Sequence, residues 1–162
     1  MTKENLKIGD VFSSQIDNNY KKYFQYVAND ITQLNSEVIR VFKTQYPINV
    51  DSDLIDIIND DIDFYAHCVI QFGLKLKIWE RIGNLNFIEK INVIFKTSTD
   101  HGKPEIKISH DWYVWKINES FNHVGKLKDK NRYAEVGSII PPDSIVYRML
   151  HGEYDFVYPG FE

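Results

Sequence analysis

The chain has 162 residues, a formal net charge of -4 and a hydrophobic fraction of 43%, which is material for one core and one domain across residues 1–162. This composition excludes a disordered, collagen-like or helically membrane-spanning chain. A single cysteine excludes a disulfide scaffold and a cysteine-rich zinc site. The acidic balance also removes a general electrostatic reason to bind nucleic acid. The first ten residues lack the apolar stretch of a secretory leader, so the sequence reads as cytoplasmic.

The elements follow in chain order. Residues 6–16 form an irregular strand around Gly9 and Asp10. The turn residues Asp17, Asn18 and Asn19 lead into an aromatic strand over residues 20–28, giving a hairpin. Residues 37–46 alternate as a strand up to Pro47. Asp51 or Ser52 then caps a short helix in which Leu54, Ile57 and Ile58 share one face. Period-two alternation is clearest after it, with Ile62, Phe64, Ala66, Cys68 and Ile70 on one side and Asp61, Asp63, Tyr65 and His67 on the other. Residues 74–82 continue as a strand with one apolar side, and another strand surrounds residues 91–96. Residues 97–104 form a loop, residues 105–109 alternate again, and residues 112–117 form a further strand. After Pro141 and Pro142, Ile145, Val146, Met149 and Leu150 mark a small helix ended by Gly152. Residues 154–158 return as an edge strand. The expected fold is mainly β, a curved antiparallel sheet or partly open barrel with one or two short helices, and the alternative is a two-layer α+β fold.

Charge along the chain is more informative than its total. No Lys or Arg occurs between Lys43 and Lys75, while Asp51, Asp53, Asp56, Asp60, Asp61 and Asp63 fall within thirteen positions. Brought together, they would steer a basic partner; spread out, they are an ordinary solvated face. Tyr65 and Trp79 are the aromatic residues expected to anchor such a partner.

Conventional reactive motifs are missing. His67, His101, His110, His123 and His151 show no compact ligand spacing, and neither HExxH nor an EF-hand loop occurs. Neither glycine-rich phosphate motif is present, and there is no GxSxG elbow. Cys68 and His67 face opposite ways on a strand, so they do not form a nucleophile and base. A hydrolase would require His101, His110 and Asp111 to meet in one cleft. Lys75, Lys77, Arg81 and Lys90 with Trp79 are too closely interrupted by Glu80 and Glu89 for nucleic acid. No cofactor, metal or membrane contact is implied.

Lys7, Ile8, Gly9, Asp10, Val11 and Phe12, followed by Tyr23, Phe24, Gln25, Tyr26 and Val27, resemble the opening of the immunity protein 26 family of bacterial polymorphic-toxin systems. The resemblance covers mainly the first quarter of the chain. It implies a non-enzymatic cytoplasmic protein that binds and sterically neutralises a cognate toxin, one with a basic surface such as a nuclease. The family has no catalytic residues to transfer, and the acidic stretch from residue 50 to 63 has the character of an insertion. A non-toxin binding module is the other non-catalytic reading.

Overall fold

The computed structural model describes residues 5–162, which form ten strands in two open sheets and three short α-helices. The expectation of a mainly β fold is met, and the sheets do not close into a barrel. The larger sheet contains β1 (Asp10–Gln15), β2 (Tyr20–Asp30), β3 (Ser36–Phe42), β4 (Tyr46–Pro47), β5 (Ile62–Cys68) and β6 (Trp79–Asn84). Their order is β5-β3-β2-β1-β6, all antiparallel, with β4 added beside the start of β2. The smaller sheet has the order β10-β7-β8-β9. It is built from β7 (Phe95–Ser98), β8 (Trp112–Trp115), β9 (Asn122–Gly125) and β10 (Glu135–Val136), with β10 parallel to β7.

Local chemistry explains the main turns. Gly9 adopts φ 99° before β1, where a side chain would also strike Asn86 at 2.9 Å. Asp17 folds the first hairpin, its Oδ1 accepting from the Asn19 and Tyr20 amides at 2.7 Å each. Helix α3 (Pro142–His151) starts with proline in its first turn and ends at Gly152, φ 83°.

Side-chain alternation gives the larger sheet two unlike faces. Phe12, Phe24, Ile39, Val41, Phe64, Ala66 and Cys68 pack on one face with Ile145 and Met149 of α3 and with Ile70 of α2 (Ile70–Lys75). Phe12 and Phe24 stack at 5.1 Å. Cys68 is fully enclosed, and burial pushes its thiol well above the ordinary range. The opposite face is divided. At one end Val11, Tyr23 and Phe42 receive Ile57 of α1 (Leu54–Ile58), and at the other Val27 and Val38 pack on Phe95 and Trp115 of the smaller sheet.

A polar cluster fixes that second junction. The buried carboxylate of Asp30 accepts from His67 Nε2 at 2.8 Å, Trp115 Nε1 at 2.9 Å, the Asn118 amide at 2.9 Å and the Thr32 amide at 3.1 Å. Buried Gln25 makes a second polar pin: its Oε1 accepts from Arg40 Nη2 at 2.6 Å and Nε at 3.0 Å, and its amide donates to the carbonyls of Gly9 and Leu85.

Several sequence expectations are corrected. Residues 70–75 form α2 rather than a strand continuation, because Ile70, Gly73 and Leu74 lie on one helical side against the core and Trp79 rests on Gly73. The strand begun at Ile62 accordingly ends at Cys68. A register shift between Val41 and Phe42 moves Ile62 off the Phe64 face into the cluster under α1. Asp53, not Asp51 or Ser52, holds the cap position of α1, and its side chain makes no capping bond. Residues 105–109 and 154–158 form no strand, keeping only an isolated bridge between Ile108 and Gly160. Among the described residues no helix is long and apolar enough to cross a membrane.

Candidate functional site: an acidic shelf

Alpha-helix α1 presents the acidic run. Ile57 inserts under the helix beside Val11, Tyr23 and Phe42, with Leu54 and Ile58 at its margins. The three apolar residues at i, i+3 and i+4 thus fasten the helix, and the intervening positions point outward. Asp51, Asp53, Asp56 and Asp61 are exposed, and their carboxylates form no hydrogen bond or ion pair with other described residues. Burial raises the Tyr46 phenol above the usual range, and the charges of Asp60 and Asp56 raise it further.

The other two aspartates are committed to the fold. Asp60 accepts from the Thr44 amide at 2.8 Å and from the Asp61 amide at 2.8 Å, closing the turn after α1. Asp63 forms an ion pair with the buried Lys22 ammonium at 3.1 Å. The run therefore leaves four exposed carboxylates and two exposed aliphatic side chains, Ile55 at 62% and Val50, with exposed Lys43 beside Asp61, whose carbonyl accepts from the Lys43 amide at 2.9 Å. Sequence reasoning passed over both aliphatics. The available signal was their position: each is an apolar residue lying off the Leu54, Ile57, Ile58 stripe.

The proposed aromatic anchors are placed elsewhere. Trp79 is 3% exposed, packs edge-on to Phe24 at 4.7 Å and donates to Ser14 Oγ at 3.1 Å. It is core, with almost no area to offer a partner. Tyr65 is half-buried at the junction with the smaller sheet, among Val27, Val38, Phe95 and Trp115. Burial raises its phenol, against a lowering influence from Arg40. The strand face expected to join Asp61, Asp63, Tyr65 and His67 as one surface is therefore divided between the shelf, an ion pair and the intersheet core.

The three groups considered for hydrolysis engage different partners. His101 stacks on Tyr158 at 6.3 Å, His110 Nε2 approaches Glu162 at 3.4 Å, and Asp111 binds Thr99 Oγ1 and His123 Nε2 at 2.6 Å each. Asp30 and His67 have the spacing of an acid-base pair, but both are fully buried, so a substrate cannot reach them. Burial lowers the affinity of His67 for a proton, only partly countered by Asp30. Burial also opposes charge on Asp30, yet the Asn118 amide, Trp115 and His67 together hold its carboxyl below the usual range. An open groove of about 460 Å³ beside Trp79 mixes Lys21 and Lys77 with Asp17 and Glu80, giving it no single charge.

No family model matches the chain, and no curated protein or solved structure matches it either.

Proposed function

We propose that this chain is an immunity-type protein that neutralises a toxin by laying the α1 shelf across a basic surface on it. The observation carrying this reading is the set of four exposed, unpartnered carboxylates on a segment that contains no Lys or Arg. Complementary fields would accelerate encounter, and Ile55 and Val50 would supply desolvated contact at the centre. Neutralisation of this kind needs coverage of the toxin and no chemical step by the inhibitor.

The resemblance at the N-terminus fits the same division of labour. Its residues form the start of the larger sheet: Val11 and Tyr23 make the seat for Ile57, while Phe12 and Phe24 make the core behind it. The resembling segment is thus the platform, and the acidic stretch is what the platform displays. Placement in the cytoplasm, where a toxin of this class would act, belongs to the same proposal.

The test is co-purification with the product of an adjacent toxin-like gene and rescue of cells expressing it. Substituting Asp53→Lys, Asp56→Lys and Asp61→Lys spares the structural Asp60 and Asp63. This variant should associate at least about tenfold more slowly at low ionic strength, with the gap closing as salt rises. Unchanged association at every salt concentration removes the shelf from the interface.

A further inference from the structure

Residues 158–162 lie against the smaller sheet in the manner of a bound peptide. Gly160 pairs with the segment 107–109: its amide donates to the Lys107 carbonyl at 2.7 Å, and its carbonyl accepts from the Ser109 amide at 3.0 Å, a parallel bridge opposite Ile108. Pro159 beside it is buried. Tyr158 and Phe161 pack against the cluster of Trp112, Val114 and Leu127, with the Phe161 ring edge-on to Trp112 at 6.5 Å. Glu162 then meets three basic side chains. Its carboxylate lies 3.0 Å from Lys126 Nζ and 3.4 Å from His110 Nε2, and its main-chain carbonyl accepts from Arg132.

The seat beneath this segment is more specific than an apolar contact requires. Lys96 is 9% exposed, and its ammonium has no hydrogen-bond or ion-pair partner among the described residues. It lies over the rings of Phe161 at 4.6 Å and Trp112 at 5.4 Å, and Arg132 lies over Phe161 at 5.1 Å. An aromatic ring entering here offers its π-face to two cations, which an aliphatic side chain cannot do. The side chains of Lys126, His110 and Arg132 form no other hydrogen bond or ion pair among the described residues. Neighbouring carboxylates are engaged elsewhere: Asp111 by Thr99 and His123, and Glu135, whose charge reaches Lys96, by Arg148.

The segment itself is lightly tethered. Tyr154 and Phe156 stay with the core behind α3, Val157 is 76% exposed, and only beyond it does the chain reach Trp112. Val157 is thus a joint between two separate packings. The ion pairs of Glu162 are exposed to solvent, so each contributes little and is screened by salt. We propose that this seat is a recognition site for an extended protein segment in which an aromatic residue precedes a carboxylate, filled in cis by residues 158–162, which a competing segment of the same chemistry displaces. Main-chain pairing with residues 107–109 sets the backbone, Lys96 and Trp112 take the ring, and Lys126, His110 and Arg132 hold the acidic end, the division of labour used in strand addition. The seat belongs to the smaller sheet, apart from the α1 shelf, and owes nothing to the toxin reading.

Fluorescence anisotropy with a labelled synthetic peptide of residues 157–162 tests the proposal on the full chain. Against the wild type the peptide competes with a tethered strap and should bind weakly. Against the full chain carrying Phe161→Ala and Glu162→Gln it should bind at least about tenfold more tightly. Adding Lys126→Glu to that variant should weaken the complex about fivefold again, and a peptide carrying Phe161→Ala should not bind. Circular dichroism checks that each variant is folded. Glu162→Lys alone leaves every apolar contact in place and should give a smaller gain of the same sign, so it decides the matter if the double variant does not fold. A folded strap variant that fails to take the peptide overturns the recognition site. Equal affinity for wild type and strap variants overturns the shared seat, as does peptide binding that ignores both Phe161→Ala and Lys126→Glu.

Discussion

The two faces of the larger sheet are held by different physics. Behind α2 and α3 the contact is mainly apolar, from Phe12 through Phe64 to Met149, with the Arg148 guanidinium laid over Phe64 at 4.1 Å and ion-paired to Glu135 at 2.8 Å. Toward the smaller sheet it is a thinner apolar contact centred on Asp30, whose carboxylate accepts from four N–H donors. Apolar packing is tolerant of direction, whereas a saturated carboxylate specifies one relative placement of its donors. The first face therefore supplies bulk stability, and the second, together with the Arg148–Glu135 pair from α3 to β10, fixes where the smaller sheet sits.

The largest expected effect comes from removing one group on each side. Phe24→Ala and Asp30→Ala should each cost about 3–5 kcal/mol, the first by an apolar cavity and the second by stranding buried donors. Their patterns should differ in hydrogen exchange. Loss of Phe24 should raise exchange throughout the larger sheet, while loss of Asp30 should raise it first in β8 and in the turn after β2. Identical maps for the two variants would erase the distinction between the faces.

Acid should act on the polar junction. In the fold His67 holds a proton less readily than in the unfolded chain, so the folded state binds fewer protons once pH falls below about 6.5. Stability is therefore lost progressively from there down to the depressed folded pKa. Asp30, also depressed, contributes stability above about pH 3.9 that is lost below it. Both shifts favour the unfolded state in acid. Urea midpoints measured against pH should show the upper limb, and His67→Gln should flatten it; an unchanged slope would dissociate that limb from His67.

A smaller effect of opposite sign is expected at the turn that β2 enters. Leu34 adopts φ 57° while 82% exposed, and Asn35 follows at φ 55°. Leucine is strained there by about 1 kcal/mol, and asparagine tolerates the same backbone. Leu34→Asn should raise the melting temperature by a few degrees, since it relieves the turn without touching either face.

Much of the fold was legible because it depends on local pattern. Alternation marks most of β5, the Leu54, Ile57 and Ile58 spacing marks α1, and paired prolines with Gly152 bracket α3. Helix α2 was misread because residues 74–77 alternate apolar and basic over too few positions to separate the two periods. Strands β9 and β10, of four and two residues, are too short to impose a pattern. The junction was invisible for another reason: Asp30 finds His67 37 positions away and Trp115 85 positions away. The acidic residues of the shelf were evident as a run, but its anchors were not. Whether a tryptophan is surface or core depends here on Gly73 and Ser14, which meet Trp79 only after folding.

The position of Cys68 makes the chain its own unfolding reporter. The sequence contains no other cysteine, and this one lies sealed beneath α3 with its thiolate form suppressed. A thiol-specific reagent can modify it only when the layers part, so the labelling rate counts how often the apolar side of the molecule opens.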